Sequence, residues 1–434
     1  MKNKLCRLLL PFLLMFVILS CNNNSSNNQS KDSTAVSGKI IDTSGLKLPN
    51  DFRATVFADN LGHTRHITVS PKGVVYVKLN SVYNNHTILR LADSNGDGIA
   101  DNIAGFGTYK GTGITIKNGF LYASSDESIY RYPLNNNDEA DTSKVELLVQ
   151  GLVNRHMHES KSIVLDNAGN IYVNVGAYSN ACQAIDRSKG SAGMQPCPIL
   201  DSAGGIWTFK ADKQNQTYKD GERYATGLRN VVGLDWNTVT NSLFVMQHGR
   251  DQLHDLFPQY FDAKQSAELP AECMYELHKG VDAGWPYIYY DQIQHKKILA
   301  PEYGGDGKKT AGEKAIDPAA AYPGHMAPDG LLFYTGNQFP EKYKNGAFIA
   351  FHGSWNRAPE PQKGYFVVFQ PFKDGKPNGD WEIFADNFAG AENIPDPGKA
   401  IHRPCGLAQG PDGSLYVTDD VKGRVYKITY KAKS

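Results

Sequence analysis

One histidine stands where it could carry proton-transfer chemistry. His158, in the segment His158-Glu159-Ser160, comes directly before the apolar unit Ile163 to Val175. A neutral imidazole at such a position could accept a hydroxyl proton near neutral pH, which is what the oxidation of an alcohol requires. A hydrogen-bonded structural histidine is the competing interpretation, and for His158 taken alone it is the better one.

Arginines precede several apolar units of the same kind. They are Arg65, Arg229, which Asn230 follows, and Arg403. Each could be a solvated surface cation. If the units are equivalent elements of a radial fold, however, the arginines converge near its axis and form a site for a polyanion.

The segment from Asp93 to Asp101 (DSNGDGIAD) has the spacing of a calcium-binding loop. Oxygen-bearing side chains recur at alternate positions and Gly98 allows a sharp turn, which suits a hard cation that takes several oxygen ligands. The candidate ligands are Asp93, Asn95, Asp97, Ile99 and Asp101. The loop lacks flanking helices and a glutamate at its twelfth position, so a metal-free acidic turn is the alternative. A metal here would be structural, because no base or nucleophile is nearby.

The elements that must position these residues repeat along the chain. Each unit is an apolar stretch, a tight turn of Pro, Asp or Asn with Gly, and an alternating strand rich in Tyr and Val. The copies are Ile67 to Leu79, Ile114 to Ser124, Ile163 to Val175, Gly233 to Val245, Leu332 to Phe351 and Gly406 to Thr418. No stretch has the period of a long amphipathic helix. The pattern predicts an all-β, six-bladed β-propeller in one domain, because radial repetition covers strand edges that an open sheet would expose.

The first residues predict export. Basic residues precede an apolar run, Leu8 to Leu19, that is too short to span a bilayer. The run ends at Ser20 and Cys21, the form of a lipoprotein signal in which Cys21 receives the lipid; an ordinary secretory signal is the alternative. We expect an exported lipoprotein at the outer membrane or cell surface, held to the membrane by its lipid alone and facing the periplasm or the medium. The predicted domains are a signal peptide at 1–20, a polar tether at 21–36 and the propeller at 37–434.

Charge and cysteine content bear on the binding partners of the protein and on its disulfides. The 45 basic and 45 acidic residues balance, so nothing indicates a nucleic-acid partner. Besides Cys21 and a cysteine of the signal peptide, the remaining cysteines would lie in an oxidising compartment. Cys182 and Cys197 bracket a loop containing Gly and Ser and are the favoured disulfide pair. Whether Cys273 pairs with Cys405 is open.

In this order along the chain, the candidate residues resemble the pyrroloquinoline quinone (PQQ)-dependent glucose/sorbosone dehydrogenases, a family of six-bladed propellers. The resemblance covers Leu46 to Tyr430 and is to the sorbosone and pyranose branch. The motifs that carry it are His158-Glu159-Ser160, Arg229-Asn230, Gly284-Trp285-Pro286, His352-Gly353-Ser354-Trp355-Asn356-Arg357 and Arg403-Pro404 before Gly410-Pro411-Asp412-Gly413.

The resemblance implies a PQQ- and calcium-dependent oxidoreductase that oxidises a sugar or a related alcohol or aldehyde. It implies His158 as the base that removes the hydroxyl proton, with Arg229 polarising the acceptor and Asn230 hydrogen-bonding the cofactor. It also implies Gly249 and Arg250 as calcium ligands through their backbone carbonyls. The other implied contacts are to the cofactor carboxylates from Arg65, Arg357 and Arg403 and to its ring from Trp355.

The chain departs from the glucose-oxidising branch at Met157, where that branch has an Asp before its catalytic histidine. The resemblance implies a small-molecule sugar as the substrate. No Cys-x-x-Cys-His motif follows the propeller, so we expect a separate electron acceptor. Two other functions stay open. A calcium-dependent propeller lactonase would need carboxylates and asparagines around an axial metal, whereas a non-catalytic lipoprotein that binds a glycan is not excluded by the fold.

Overall fold

Strands account for most of the regular structure of the chain. The computed structural model describes residues 44–431, in which the helices are α1 (Leu253–Leu256), α2 (Ala263–Glu268) and short 3-10 turns. The predicted signal peptide, Cys21 and the tether lie outside these residues. Among the residues described, no helix is both long and apolar enough to cross a membrane.

In chain order the strands are β1 (Phe52–Ala58), β2 (Thr64–Val69), β3 (Val75–Tyr83), β4 (His86–Ala92), β5 (Asn102–Phe106), β6 (Ile114–Lys117), β7 (Phe120–Ser124), β8 (Ile129–Pro133), β9 (Glu146–Gln150), β10 (Ile163–Leu165), β11 (Asn170–Val175), β12 (Gly205–Lys210), β13 (Gln216–Thr217), β14 (Glu222–Thr226), β15 (Val231–Asn237), β16 (Ser242–Gln247), β17 (Glu272–Leu277), β18 (Val281–Asp282), β19 (Ile288–Asp291), β20 (Lys296–Leu299), β21 (Ala320–Tyr322), β22 (Pro328–Phe333), β23 (Ala347–Phe351), β24 (Phe366–Gln370), β25 (Phe372–Lys373), β26 (Lys376–Pro377), β27 (Glu382–Ala385), β28 (Pro404–Gln409), β29 (Leu415–Asp419) and β30 (Arg424–Tyr430). The pairs β19-β20 and β25-β26 form small separate hairpins.

Antiparallel sheets succeed one another as the six blades of a β-propeller, as the sequence predicted. From the axis outwards, blades one to six are β2-β3-β4-β5, β6-β7-β8-β9, β10-β11-β12-β14, β15-β16-β17-β21, β22-β23-β24-β27 and β28-β29-β30-β1. The short strands β13 and β18 add parallel edges to blades two and three. All six sequence repeats are the first two strands of a blade.

The blades close into a ring. Their first strands contact one another in sequence, and β28 of blade six returns to β2 of blade one. The last blade takes its outermost strand from near the other end of the described chain, because β1 pairs with β30 and Phe52 lies opposite Tyr430. This pairing holds the beginning and the end of the propeller in one sheet and completes blade six with a fourth strand.

The two faces of the ring carry different structures. We call the face at which the first strands begin the site face; because neighbouring strands are antiparallel, the second strands end there too. The repeated turns lie on the opposite face, where Gly73, Gly169 and Gly413 have φ angles of +84°, +77° and +81°. Glycine adopts this left-handed conformation without the steric cost that a Cβ atom adds.

Apolar side chains fill the spaces between neighbouring blades. Between blades five and six, the ring of Phe52 contacts those of Phe339 and Phe384 at centroid distances of 4.8 and 5.0 Å. Edge-to-face pairs of this kind contribute about 0.5–1.5 kcal/mol each beyond the burial of their area. This packing fixes the blades relative to each other and so holds the loops of the site face in place.

Candidate functional site

A pocket of about 170 Å³ opens on the site face, between loops of blades three, four and five. Residues singled out from the sequence line it, namely His158, Arg229, Asn230, Gly249 and Trp355. The wall also contains polar residues that the sequence did not single out as site residues: Arg187, His248, Asp251, Glu272, His325 and Asn356.

The ring of His158 is held in one orientation by the backbone. Its Nδ1 is hydrogen-bonded to the carbonyl of Ala177. Since a carbonyl can only accept, Nδ1 carries the proton and Nε2 keeps its lone pair. Burial, together with the positive charge of Arg229, lowers the pKa of His158 to about 3, so the ring is neutral at physiological pH. The residue also has a φ of +50°, a left-handed conformation that is uncommon outside glycine and clusters at functional sites.

Arg229 is buried beside the pocket and is hydrogen-bonded at each of its nitrogens. Its Nη2 donates to Asp251 at 2.9 Å and to the side-chain oxygen of Asn180 at 3.1 Å. Its Nη1 donates to the carbonyl of Gly249 at 2.9 Å, and its Nε to the carbonyl of Asn180 at 3.2 Å. The carboxylate of Asp251 compensates a charge whose burial would otherwise be costly.

Asp251 joins loops of three blades through its carboxylate. Besides Arg229, it accepts hydrogen bonds from Arg187 Nη2 at 2.7 Å and Asn356 Nδ2 at 2.8 Å. Burial alone would raise the pKa of Asp251, but the charges of Arg229, His325 and Arg187 hold it well below its usual range. The carboxylate therefore stays ionised and fixes the wall of the pocket.

Asn230 and Trp355 present different surfaces to the pocket. The amide of Asn230 is buried, whereas the Trp355 side chain is 57% exposed at the rim. Gly176 packs against the buried side: a Cβ there would lie 2.6 Å from the His158 carbonyl and 3.1 Å from the Asn230 amide oxygen. A larger residue at position 176 would displace both site residues.

Gly249 and Arg250, predicted to bind calcium through their carbonyls, follow β16. The Gly249 carbonyl accepts from Arg229, and the Gly249 N–H donates to Glu272 Oε2 at 3.0 Å. Arg250 does not line the pocket, and its guanidinium forms a buried ion pair with Glu302 at 2.5 Å. The structure thus brings one of the two residues to the pocket wall.

Arg65 is engaged elsewhere on the site face. It forms ion pairs with Asp329 and Asp420, both at 3.1 Å, and His352 Nε2 lies 2.8 Å from Asp420. We call Arg65, Asp329, Asp420 and His352 the closed cluster, because its charges face one another. Burial alone would raise the pKa of Asp420, but His352 and Arg65 lower it to about 2.

Arg357 and Arg403 also lie outside the pocket. Arg357 is bonded to Glu268 of α2 at 2.5 Å and to backbone carbonyls, among them that of Gly324 at 3.2 Å. Arg403 donates from Nε to the carbonyl of His352 at 3.1 Å and from Nη2 to that of Gly353. A role for these arginines toward cofactor carboxylates would require such contacts to be given up.

The predicted calcium loop lies on the opposite face, between β4 and β5. Asp93 accepts hydrogen bonds from the N–H groups of Gly96 at 2.7 Å and Gly98 at 2.8 Å, and Asp97 accepts from that of Ile99 at 2.8 Å. Between residues 44 and 431, no group of three or more His, Cys, Asp and Glu side chains is arranged to hold a metal ion. Calcium in this loop stays a prediction, and its position is remote from the pocket.

Of the four cysteines between residues 44 and 431, two form a disulfide and two are free. Cys182 and Cys197, the pair that the sequence favoured, form a disulfide with Cα atoms 6.2 Å apart, within the connection from β11 to β12. Cys273 in blade four and Cys405 in blade six are buried and do not pair.

The polar residues missed from sequence include Asp251 and Arg187 of the pocket wall and Asn180, which holds Asp251 and Arg229 in place. Asp251 directly follows the segment Gln247-His248-Gly249-Arg250, so its adjacency was a signal that could have found it. Asn180 and Arg187 lie in the long connection between β11 and β12, which contains no regular strand. The one hint that this connection is held in a defined place was the cysteine pair Cys182 and Cys197, which brackets Arg187 but not Asn180.

Comparison with known sequences gives the chain a family. The model of the TrAA12-like family matches residues 46–287 and 292–431. The pyrroloquinoline quinone-dependent pyranose dehydrogenase of Coprinopsis cinerea is 28% identical over 241 residues, which are 46% of this chain and 30% of that enzyme. An uncharacterized protein of Borreliella burgdorferi is 26% identical over 407 residues, 90% of this chain and 92% of that protein.

Solved structures share the propeller fold. A structure of the Trichoderma reesei carbohydrate-active enzyme of family AA12 superposes with a TM-score of 0.71 at 18% identity, covering 89% of this chain and 98% of that one. The holo PQQ domain of the Coprinopsis cinerea pyranose dehydrogenase gives 0.68 at 22% identity, covering 88% and 97%. The PQQ-bound aldose sugar dehydrogenase of Streptomyces coelicolor gives 0.53 at 15% identity, covering 89% and 100%. Because the family model matches nearly all of the propeller, this chain belongs to the TrAA12-like family.

Proposed function

We propose that the chain is an oxidoreductase that oxidises a sugar, or a related alcohol or aldehyde, with PQQ as its bound cofactor. Relatives and structural neighbours named as PQQ-dependent or PQQ-bound sugar dehydrogenases support this class of reaction. The observation that carries the proposal is a neutral imidazole, His158, in a pocket that also contains the guanidinium groups of Arg187 and Arg229.

His158 would take the proton of the substrate hydroxyl at Nε2. Its Nδ1 is held by the Ala177 carbonyl, so the lone pair of Nε2 has a fixed orientation. The pKa of about 3 keeps the ring ready to accept over the whole neutral range but also makes it a weak base. We therefore expect the proton to leave the hydroxyl as the substrate C–H bond breaks, not before. The charge of Arg229 then favours release of the proton from His158.

The donor chemistry of the pocket fits PQQ. When bound, PQQ would supply the acceptor for the hydride that leaves the substrate carbon. Arg187 and Asn230 can offer N–H groups to its carboxylates and ring oxygens. Asn356 Oδ1 is buried without a hydrogen-bond partner, and a ligand N–H would satisfy it. The exposed indole of Trp355 offers an apolar face to the ring.

Calcium at Gly249 and Arg250 is a separate proposal. The Gly249 carbonyl already accepts a hydrogen bond from the Arg229 guanidinium at 2.9 Å, so a cation bound there would have to displace that bond. No step described above uses the metal. Calorimetric titration of chelator-treated protein with calcium, with and without PQQ, tests for a site that forms with the cofactor.

The partners and the location of the protein are also proposals. Electrons would pass to a separate acceptor, and the chain would be exported and anchored through a lipid on Cys21. Metabolic labelling with a fatty-acid analogue tests the anchor, since a Cys21→Ser variant should lose the label and leave the membrane fraction.

Reconstitution tests the function most simply. Purified protein is loaded with PQQ, with and without calcium, and the reduction of an artificial dye is followed across a panel of pyranose sugars and their alcohols. We expect PQQ-dependent dye reduction with at least one sugar. Hydrolysis of sugar lactones without PQQ would favour a lactonase instead, and saccharide binding with neither activity would favour a glycan-binding lipoprotein.

A further inference from the structure

Arg187 is the more accessible of the two arginines in the pocket. Its side chain is 27% exposed, compared with 4% for Arg229. Its Nη2 donates to Asp251 at 2.7 Å and its Nη1 to Gln252 Oε1 at 2.8 Å, whereas its Nε lies 3.8 Å from Asp186, beyond hydrogen-bonding distance. A guanidinium has five N–H groups. Arg187 therefore keeps donors for a ligand without losing its ion pair.

The backbone of Arg187 is held in an unfavourable conformation. Its φ of +54° is left-handed, which costs a non-glycine residue on the order of 1 kcal/mol. The preceding residue, Asp186, is fixed by the Ser179 hydroxyl at 2.6 Å and the Asn180 N–H at 2.9 Å. Such a conformation persists where the surrounding contacts impose it, so the loop presents Arg187 in one place.

Asn180 ties this loop to the pocket wall. It is fully buried, and its side-chain oxygen accepts from the Asp251 N–H at 2.9 Å and from Arg229 at 3.1 Å. Its Nδ2 donates to the Asp251 carbonyl at 3.1 Å. The disulfide between Cys182 and Cys197 closes the loop that contains Arg187. The disulfide and the buried Asn180 amide thus both restrict the loop that presents the Arg187 guanidinium.

We propose that Arg187 binds a carboxylate of the molecule held in the pocket, and that Asn180 and the Cys182–Cys197 disulfide are positioning residues for it. The inference rests on the proposed function, because PQQ is a tricarboxylate. Arg65 is less suited to this task, since turning it to a ligand would break its ion pairs with the buried carboxylate of Asp329 and with Asp420.

Binding of PQQ without any sugar tests the inference directly. PQQ is titrated into Arg187→Gln, Arg187→Lys and the wild type, with quenching of tryptophan fluorescence as the readout. We expect Arg187→Gln to raise the Kd about 10- to 100-fold, the range for a lost charge-assisted hydrogen bond. Arg187→Lys should be intermediate, because lysine keeps the charge but not the planar donor fork. The matched control is Arg53→Gln, which removes one exposed positive charge from β1 and should leave the Kd unchanged.

Removing the disulfide gives a second, independent test of the inference. The double variant Cys182→Ser, Cys197→Ser should also raise the Kd, and far-UV circular dichroism should show that its fold is retained. If the disulfide acts by positioning Arg187, the triple variant that adds Arg187→Gln to the two serine substitutions should have the same Kd as Arg187→Gln alone. Fully additive effects would overturn the positioning role.

The two failures can be told apart. If the wild type binds PQQ and Arg187→Gln binds it as tightly as Arg53→Gln does, the inference is wrong and the proposed function stands. If the wild type binds no PQQ, the proposed function fails and the inference falls with it.

Discussion

Two groups of arginines and aspartates lie on the site face, one with more arginines and the other with more aspartates. In the pocket, Arg187 and Arg229 share the carboxylate of Asp251. In the closed cluster, Arg65 is shared by the carboxylates of Asp329 and Asp420. Around Asp251 two guanidinium groups share one carboxylate beside an opening, and the other carboxylate of the pocket wall, Glu272, accepts from the Gly249 N–H; the arginine of the closed cluster is paired with two carboxylates. The balance between arginines and nearby carboxylates, not the presence of arginine, therefore decides which group can receive an anion.

Catalysis should depend on His158 in the pocket and not on histidines outside it, and this is the largest difference we expect. Replacing His158 with Ala should lower the turnover number of PQQ-loaded protein by about 10²- to 10⁴-fold, the usual contribution of a general base, while the PQQ Kd changes little. Steady-state dye reduction measures it. The matched control is His402→Gln: this imidazole contacts the buried carboxylate of Asp419 at 2.7 Å outside the pocket. Equal rates in the two variants would remove His158 from the mechanism.

Removing the arginine of the closed cluster should affect stability and not binding. Arg65→Gln leaves the buried carboxylate of Asp329 and the partly buried one of Asp420 without their shared guanidinium, which should lower the free energy of unfolding by about 3–5 kcal/mol. The PQQ Kd should stay within twofold of the wild type, roughly the scatter of such titrations. Urea unfolding and fluorescence titration on the same preparation measure both. A variant that keeps its stability but loses PQQ affinity would place Arg65 with the pocket instead.

His158 in the pocket and His66 beside the closed cluster are histidines whose protonation opposes folding. Burial is the main cause that lowers the pKa of His158 to about 3 and of His66, which contacts the Asp329 carbonyl at 2.9 Å, to about 4. An unfolded histidine titrates near 6.5, so the unfolded chain binds more protons between about pH 4 and 6.5. The free energy of unfolding should therefore fall as the pH falls through this window.

Variants can assign that pH dependence to the two groups. His158→Gln and His66→Gln should each remove up to one proton from the linkage, so the slope of unfolding free energy against pH should drop by as much as about 1.4 kcal/mol per pH unit near pH 5 and by less toward pH 7. Urea unfolding at several pH values between 4.5 and 7 measures the slope. An unchanged slope in His158→Gln would mean that its imidazole is not held neutral in the folded protein.

A substitution on the face opposite the pocket should affect stability slightly and leave function unchanged. Gly169→Ala adds a methyl group with no atom within 4 Å but at a φ of +77°. It should lower the free energy of unfolding by about 1 kcal/mol for conformational reasons alone. Turnover and PQQ affinity should not change, and a loss of either would show that this face is coupled to the pocket.

The propeller could be predicted because its signal is local and repeated. A tight turn between two alternating strands recurs six times, and each copy is the pair of strands nearest the axis. The same regularity placed His158, Arg229 and Asn230 at equivalent strand ends, and these residues do line one pocket. Trp355 joins them from the loop after β23.

What the sequence could not show is which charges meet across the ring. Arg65 and Asp420 are separated by 355 positions, so nothing near Arg65 in the chain indicates that it is compensated. Arg357 meets Glu268 in the same way, across 89 positions. Arg187 was missed for the opposite reason, because its loop has no periodic pattern and is shaped by a disulfide and a buried amide.

The proposed reaction is the oxidation of a sugar in the pocket, with His158 as the base. Its most direct test is a single turnover without oxygen, in which PQQ-loaded protein is mixed rapidly with sugar and the absorbance of the bound quinone is followed. We expect rapid, sugar-dependent reduction of the quinone in the wild type and a rate at least 100-fold lower in His158→Ala. Tightly bound quinone that no sugar of the panel reduces, or reduction at the same rate in both proteins, would contradict it.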